Sequence, residues 1–144
     1  MQSERFPKTV RLLSRTDFRR VYERRSSVSN PFIRLLGRLN DREYPRIGLS
    51  VSRQVGNAVV RNRWKRLLRE AFRLSQSRLP KGLDFVVIPQ ASAEPELEQL
   101  KQTLVDLSWR LHKRLDRERS TENRLKRQEQ EAKRQRRNEK ESED

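Results

Sequence analysis

The fold the sequence predicts is a small α/β domain of the α+β kind, a mixed sheet of three to four strands packed by three helices. Three observations carry that expectation. Arg46-Ile-Gly-Leu-Ser-Val-Ser-Arg53 alternates strictly between apolar and small or polar residues, the period of a half-buried strand. Leu83-Asp-Phe-Val-Val-Ile88 is a short apolar run closed by Pro89, the pattern of a central strand covered on both faces. Residues 58–77 and 97–115 repeat apolar side chains at helical spacing.

Taken in order, the chain first offers a helix over 14–25. Ser14 or Thr16 can cap it, Asp17 complements its positive end, and Phe18, Val21 and Tyr22 share one face. Leu12 and Leu13 are expected to pack beneath it. Ser26 to Asn30 reads as a turn. Phe32 to Leu39 is an apolar run interrupted by Arg34 and Arg38, hence a strand, with Gly37 marking a bulge or bend. Asn40 to Pro45 has the length of a hairpin connection to the 46–53 strand, whose Gly48, Ser50 and Ser52 form a face open to close approach. Gly56-Asn57 then breaks the pattern, and Asn57 can cap a second helix reaching about Ser77. Val60, Trp64, Leu67, Leu68, Ala71 and Leu74 make its apolar stripe. Pro80 and Gly82 stop it before the 83–88 strand. A third helix opens at Glu94-Pro-Glu-Leu and steps along Leu97, Leu100, Leu104, Leu107, Leu111 and Leu115. Trp109 falls off that stripe.

Composition narrows function. The chain has 144 residues, 35 Lys+Arg against 20 Asp+Glu, a net charge of +15 and only 32% hydrophobic residues. Residues 1–73 hold 19 basic and 6 acidic groups, so the excess sits in the first half, as on a surface built for phosphate. The tail 116–144 is nearly neutral, with Leu125 and Ala132 its only apolar residues. It is expected to be disordered or a frayed, salt-bridged helix outside a 1–115 domain. Cysteine is absent and His112 is the single histidine, which excludes disulfides, thiolate nucleophiles and Cys-based zinc sites. No apolar run nears the roughly 20 residues that cross a bilayer, and MQSERFPKTV lacks the apolar stretch of a secretory signal. A cytoplasmic protein without a membrane partner is expected.

The informative segment is Arg61-Asn-Arg-Trp-Lys-Arg-Leu-Leu-Arg-Glu-Ala-Phe-Arg73. On a helical wheel Asn62, Lys65, Arg66, Arg69 and Arg73 lie opposite the apolar stripe, with Arg61 and Arg63 on its borders. Like charges three or four apart repel by a few tenths of a kcal/mol per pair, so a fold gains nothing from them. A polyanion does, because each neutralised phosphate releases counterions and Arg presents a planar fork. Asn62 can read a base edge or a 2′-hydroxyl. The bland alternative is an ordinary solvated face, but such faces mix signs, and Glu70 is the only acid between 58 and 77. A sheet beside the helix favours RNA over a major-groove DNA reader.

Val55-Gly-Asn-Ala-Val-Val-Arg-Asn-Arg-Trp-Lys-Arg66, preceded by the 46–53 strand, resembles the signature of the protein subunit of bacterial ribonuclease P. Leu12-Leu-Ser-Arg-Thr-Asp-Phe, Pro45-Arg-Ile-Gly and Asp84-Phe-Val-Val-Ile extend the resemblance from about Phe6 to Leu115. It implies that the basic helix joins two parallel strands by a left-handed crossover, against the general right-handed rule. It also implies a ribonucleoprotein that removes the 5′ leader of precursor tRNA. In that family the catalytic ribonuclease P RNA performs hydrolysis with Mg²⁺, which it mainly binds itself, and no protein partner is required. The protein docks on the RNA and raises affinity for precursor tRNA by holding the leader. By motif match, Arg53, Asn57, Arg61, Asn62, Arg63, Lys65, Arg66 and Arg69 face RNA, and Arg73 joins them from the wheel. A leader cleft between sheet and first helix would use Phe18, Tyr22, Phe32, Arg34 and Leu36, although a helix-face aromatic such as Phe18 or Tyr22 equally suits a core. Two features depart from the pattern. Trp64 stands where the motif has an aliphatic residue, and the cleft strand has no aromatic after Phe32.

No catalytic residue or metal site is expected in the polypeptide: nothing in it supplies a nucleophile, a base and a metal cage together. The competing readings are a ribosomal or ribosome-assembly protein, which shares the charge but not the strand–turn–helix signature, and a protein-only nuclease, which lacks an acidic cluster.

Overall fold

The computed structural model describes residues 6–90 and 94–142. Met1–Arg5, half of the stretch read for a signal, and the last two tail residues lie outside the described residues. The elements follow as α1 (Arg15–Arg24), β1 (Ser26–Ser29), β2 (Ile33–Leu39), β3 (Arg46–Leu49), α2 (Ala58–Ser75), β4 (Leu83–Pro89) and α3 (Leu97–Ser142). Among the described residues no helix is long and apolar enough to cross a membrane.

The sheet has the order β1-β2-β4-β3. β4, the apolar run, is central as expected: it pairs antiparallel with β2 (Leu36 opposite Val86) and parallel with β3 (Ile47 opposite Phe85). The hairpin expected between β2 and β3 does not form, because β4 inserts between them. The short connection 40–45 therefore spans a strand, and α2 carries the chain from β3 to its parallel neighbour. The segment read as a turn is β1, an edge strand paired with β2 from Ser26–Gly37 to Ser29–Arg34. With Val28 its one apolar residue, it offers no periodic signal. β3 ends at Leu49 rather than Arg53; Arg53–Val55 is a 3-10 turn leading to the helix cap. The outer edge of β3 is covered by Arg11–Leu12, where the Leu12 amide donates to the Ile47 carbonyl at 2.8 Å.

Each face of the sheet is packed differently. Ile33, Leu35, Phe85 and Val87 join Trp64, Leu68 and Phe72 of α2 and the leucines of α3 in the main core. Gly37 belongs to this face and marks no bulge. A Cβ there would lie 2.6 Å from Leu111 Cδ2, so the glycine lets α3 approach the strand. On the other face α1 closes a smaller cluster of Leu12, Val21, Leu36 and Val86, with Phe18 and Ile88 at its rim. Leu13, expected beneath α1, points to solvent instead. The small-residue face of β3 receives Phe18, whose ring would stand 2.8 Å from a Cβ on Gly48. Ser14 caps α1 by accepting from the Asp17 amide at 3.0 Å.

A buried ion cluster ties the strands together. Asp84, fully buried in β4, accepts from Arg46 Nε at 2.8 Å and Nη2 at 2.7 Å and from Asn40 Nδ2 at 2.6 Å, and Arg38 lies at 3.2 Å. Arg46 also reaches Asp17 of α1 at 3.6 Å. Burial alone would raise the Asp84 pKa; hydrogen bonds from Arg46 and Asn40 and the charges of Arg46 and Arg38 outweigh it and hold the carboxyl below its ordinary range.

The expectation of a disordered tail beyond residue 115 gives way to its helical alternative. α3 continues without a break for 46 residues. Pairs at helical spacing support it, including Arg119–Asp116 at 2.7 Å and Lys133–Glu129 at 3.7 Å. Its first turns past Leu115 dock on the domain: Glu118 accepts from Ser26 Oγ at 2.6 Å and Arg24 at 2.8 Å, and Glu122 accepts from Arg24 at 2.6 Å.

Candidate nucleic-acid interface

α2 begins where Asn57 turns its Oδ1 to the Val60 amide at 3.0 Å, so the proposed RNA contact Asn57 keeps only its amide NH₂ free. Packing then fixes the rotation of the helix. Trp64 is 1% exposed and Leu68, Ala71 and Phe72 are fully buried. The larger ring at the motif's aliphatic position is therefore a core residue. Val60, placed on the same stripe, is exposed at the first turn.

With that face inward, Asn62, Arg63, Arg66 and Arg69 are exposed and Arg61 and Lys65 half-buried. Arg53 and Asn57 are exposed just ahead of them, so eight of the nine sequence-predicted residues share one ridge with its lead-in turn. Among the described residues, ion pairs on α2 are confined to Arg73, whose Nε donates to Glu70 at 3.1 Å. That contact, first by its hydrogen bond, lowers the Glu70 pKa. Arg73 is thus engaged within the helix and stands apart from the open set. Arg61 Nε is buried without a hydrogen-bond partner, a donor left over by the fold itself.

The leader-cleft residues divide. Phe18, Tyr22, Arg34 and Leu36 share the α1 side of the sheet: Leu36 is in the floor, Arg34 is exposed with Nη2 3.3 Å from Ser27 Oγ, and Phe18 and Tyr22 stack with centroids 6.5 Å apart. Phe18 is held by packing on Gly48, which leaves Tyr22, 40% exposed, as the aromatic with a free face. Phe32 does not join them; it packs against the main core.

The residues sequence reasoning passed over are Asp84 and Arg46. A lone acid inside an apolar run, with arginines in both neighbouring strands, was the available signal. Trp109, unassigned on its helix, donates Nε1 to the Arg78 carbonyl at 2.8 Å and meets His112 edge-on. The described residues gather no group of three or more His, Cys, Asp or Glu that fits a metal ion.

Fold and surface together define a small α+β protein with one strongly basic, exposed helix face. The ribonuclease P family model matches residues 6–112. The ribonuclease P protein component of Escherichia coli O139:H28 (strain E24377A / ETEC) is 44% identical over 114 residues, covering 78% of this chain and 94% of its own. The solved ribonuclease P protein of Thermotoga maritima superposes with a TM-score of 0.63 at 34% identity, over 69% of this chain and 96% of that one. That of Staphylococcus aureus gives 0.60 at 32%, over 68% and 91%. The chain belongs to the ribonuclease P protein family. It is thus the protein component of an RNA-binding, tRNA-processing endoribonuclease with the ribonuclease P RNA as partner, and these relatives support that reading over the ribosomal alternative.

Proposed function

We propose that the α2 ridge docks on the ribonuclease P RNA while the α1 side of the sheet holds the 5′ leader of precursor tRNA, so that the protein raises substrate affinity and the RNA cleaves. The observation that carries this is the ridge: Arg63, Arg66 and Arg69 are exposed on one helix with no carboxylate paired to them among the described residues. Such a face gains by displacing counterions from ribose-phosphate. Tyr22 on α1 and Arg34 on the same side of the sheet as Leu36 offer a stacking surface and a cation to an unpaired strand. In this reading Mg²⁺ belongs to the RNA, and the protein's part is binding and positioning. The work is assigned to the cytoplasm.

The test is cleavage of labelled precursor by the ribonuclease P RNA with and without the protein. The protein should raise kcat/KM at low salt, and Tyr22→Ala should weaken binding of a leader-bearing precursor while sparing mature tRNA. One lost base stack is worth about 1–3 kcal/mol, or roughly 5- to 150-fold. Equal effects on both RNAs would place the leader elsewhere.

A further inference from the structure

We propose that the exposed half of α3 is an RNA-binding arm that carries the 5′ leader onward from the α1 side of the sheet. The inference rests on the leader reading above and extends it beyond the family-matched region. From Arg119 to Arg137 every residue is exposed. At 3.6 residues per turn, Arg119, Lys126, Arg127, Lys133, Arg134 and Arg137 fall within an arc of about 120°. No acid between 119 and 137 shares that arc; its other members are Asn123 and Gln130. The remaining arc holds Glu122, Glu129 and Glu131 with Arg124 and Arg136. Lys126, Arg127, Arg134 and Arg137 have no ion-pair partner among the described residues.

The direction of this stripe is fixed by the body. Glu118 and Glu122, gripped by Arg24 and Ser26, set the rotation of the helix as it leaves the domain. Arg119, first of the stripe, then lines a cleft of about 540 Å³ in which Arg20, Arg24 and Arg38 outnumber Glu23 and Glu122. Arg38 lies two residues from Leu36 along β2, on the same face. The cleft, with four arginines to two glutamates, thus joins the α1 side of the sheet to the arm, which reaches about 27 Å from Arg119 to Arg137 at 1.5 Å per residue. Charge also selects the occupant. With Leu125 and Ala132 the only apolar residues past Leu115, the arm cannot bury a helical partner as a coiled coil does. A flexible polyanion needs no apolar seam.

The experiment uses the full chain assembled with ribonuclease P RNA and precursors carrying leaders of about four and about sixteen nucleotides, the range of single-strand site sizes on protein surfaces. Arg127→Gln with Arg134→Gln should weaken binding of the long-leader precursor and lower its salt slope by about 1.4, at roughly 0.7 per single-strand phosphate. The short-leader precursor should bind unchanged. The charge-matched pair Arg124→Gln with Arg136→Gln on the opposite arc should alter neither. Equal losses from the two pairs, or equal losses for both leaders, would overturn the arm. So would a loss seen with ribonuclease P RNA alone, which would assign the stripe to that RNA, or a chain dimer abolished by the first pair. Equal binding of the two leader lengths before substitution would also overturn the arm, whereas a leaderless precursor that binds the assembled enzyme as well as the short-leader one would overturn the leader reading beneath it.

Discussion

Replacing Arg63, Arg66 and Arg69 together by Gln separates recognition from folding. All three side chains are exposed, and none has an ion-pair partner among the described residues. Their removal breaks no contact. It relieves the Arg63–Arg66 and Arg66–Arg69 repulsions, worth about 0.2–0.5 kcal/mol each at that spacing, and Gln is a helix former comparable to Arg. The urea midpoint should therefore stay level or rise slightly. Binding should respond in the opposite sense. Three phosphate contacts at about 0.7–0.9 each lower the slope of log K against log salt by about 2–3. Affinity for ribonuclease P RNA should fall most at low salt and converge on the parent value as salt rises. Filter binding across a salt series, paired with urea unfolding, reads both. An unchanged slope would move the interface off α2. A slope change accompanied by more than about 1 kcal/mol of lost stability would show that the arginines hold the fold.

Asp84→Asn should cost about 3–5 kcal/mol in urea unfolding at neutral pH, since it strands the buried Arg46 guanidinium. Because the folded Asp84 pKa is depressed, its contribution is present above the unfolded value near 3.9 and lost as pH falls through the folded one. The gap between the two proteins should accordingly shrink in acid, and a pH-independent gap would refute the assignment. Gly48→Ala drives a methyl into the Phe18 ring and should cost about 1–3 kcal/mol while weakening leader-bearing precursor more than RNA-subunit binding. A fully stable variant would mean α1 is free to shift.

How much of this was legible depended on whether the signal was local. α2 shows its stripe over 18 residues and its cap at Asn57, and both are written in adjacent positions, so the ridge followed from sequence. Strand order was not local. The short 40–45 connection suits a hairpin, and only the pairing of β4 with both β2 and β3, 35 or more residues apart in register, excludes one. β1 escaped notice because an edge strand with one apolar residue is defined by its neighbour. The resemblance puts Phe32 in the leader cleft, but the chain bend held by Asn30, whose Oδ1 accepts from the Phe32 and Ile33 amides, turns it to the other core. The tail was judged on apolar content, which ignores pairs along the helix and the grip of Arg24.

The placement of acids explains why so basic a protein has a defined binding face rather than a uniformly sticky surface. Asp84 and Asp17 hold Arg46, Glu118 and Glu122 hold Arg24, and Glu70 holds Arg73. Each of these arginines joins elements or ends a helix, so the carboxylates neutralise the cations that build the scaffold. Among the cations they leave unpaired within the described residues are Arg63, Arg66 and Arg69 on α2 and Lys126, Arg127, Arg134 and Arg137 on α3, where packing has turned the helices outward. Net charge then acts through position: carboxylates that pair the scaffold's arginines leave these two helix faces basic, the arrangement that ribose-phosphate chains favour.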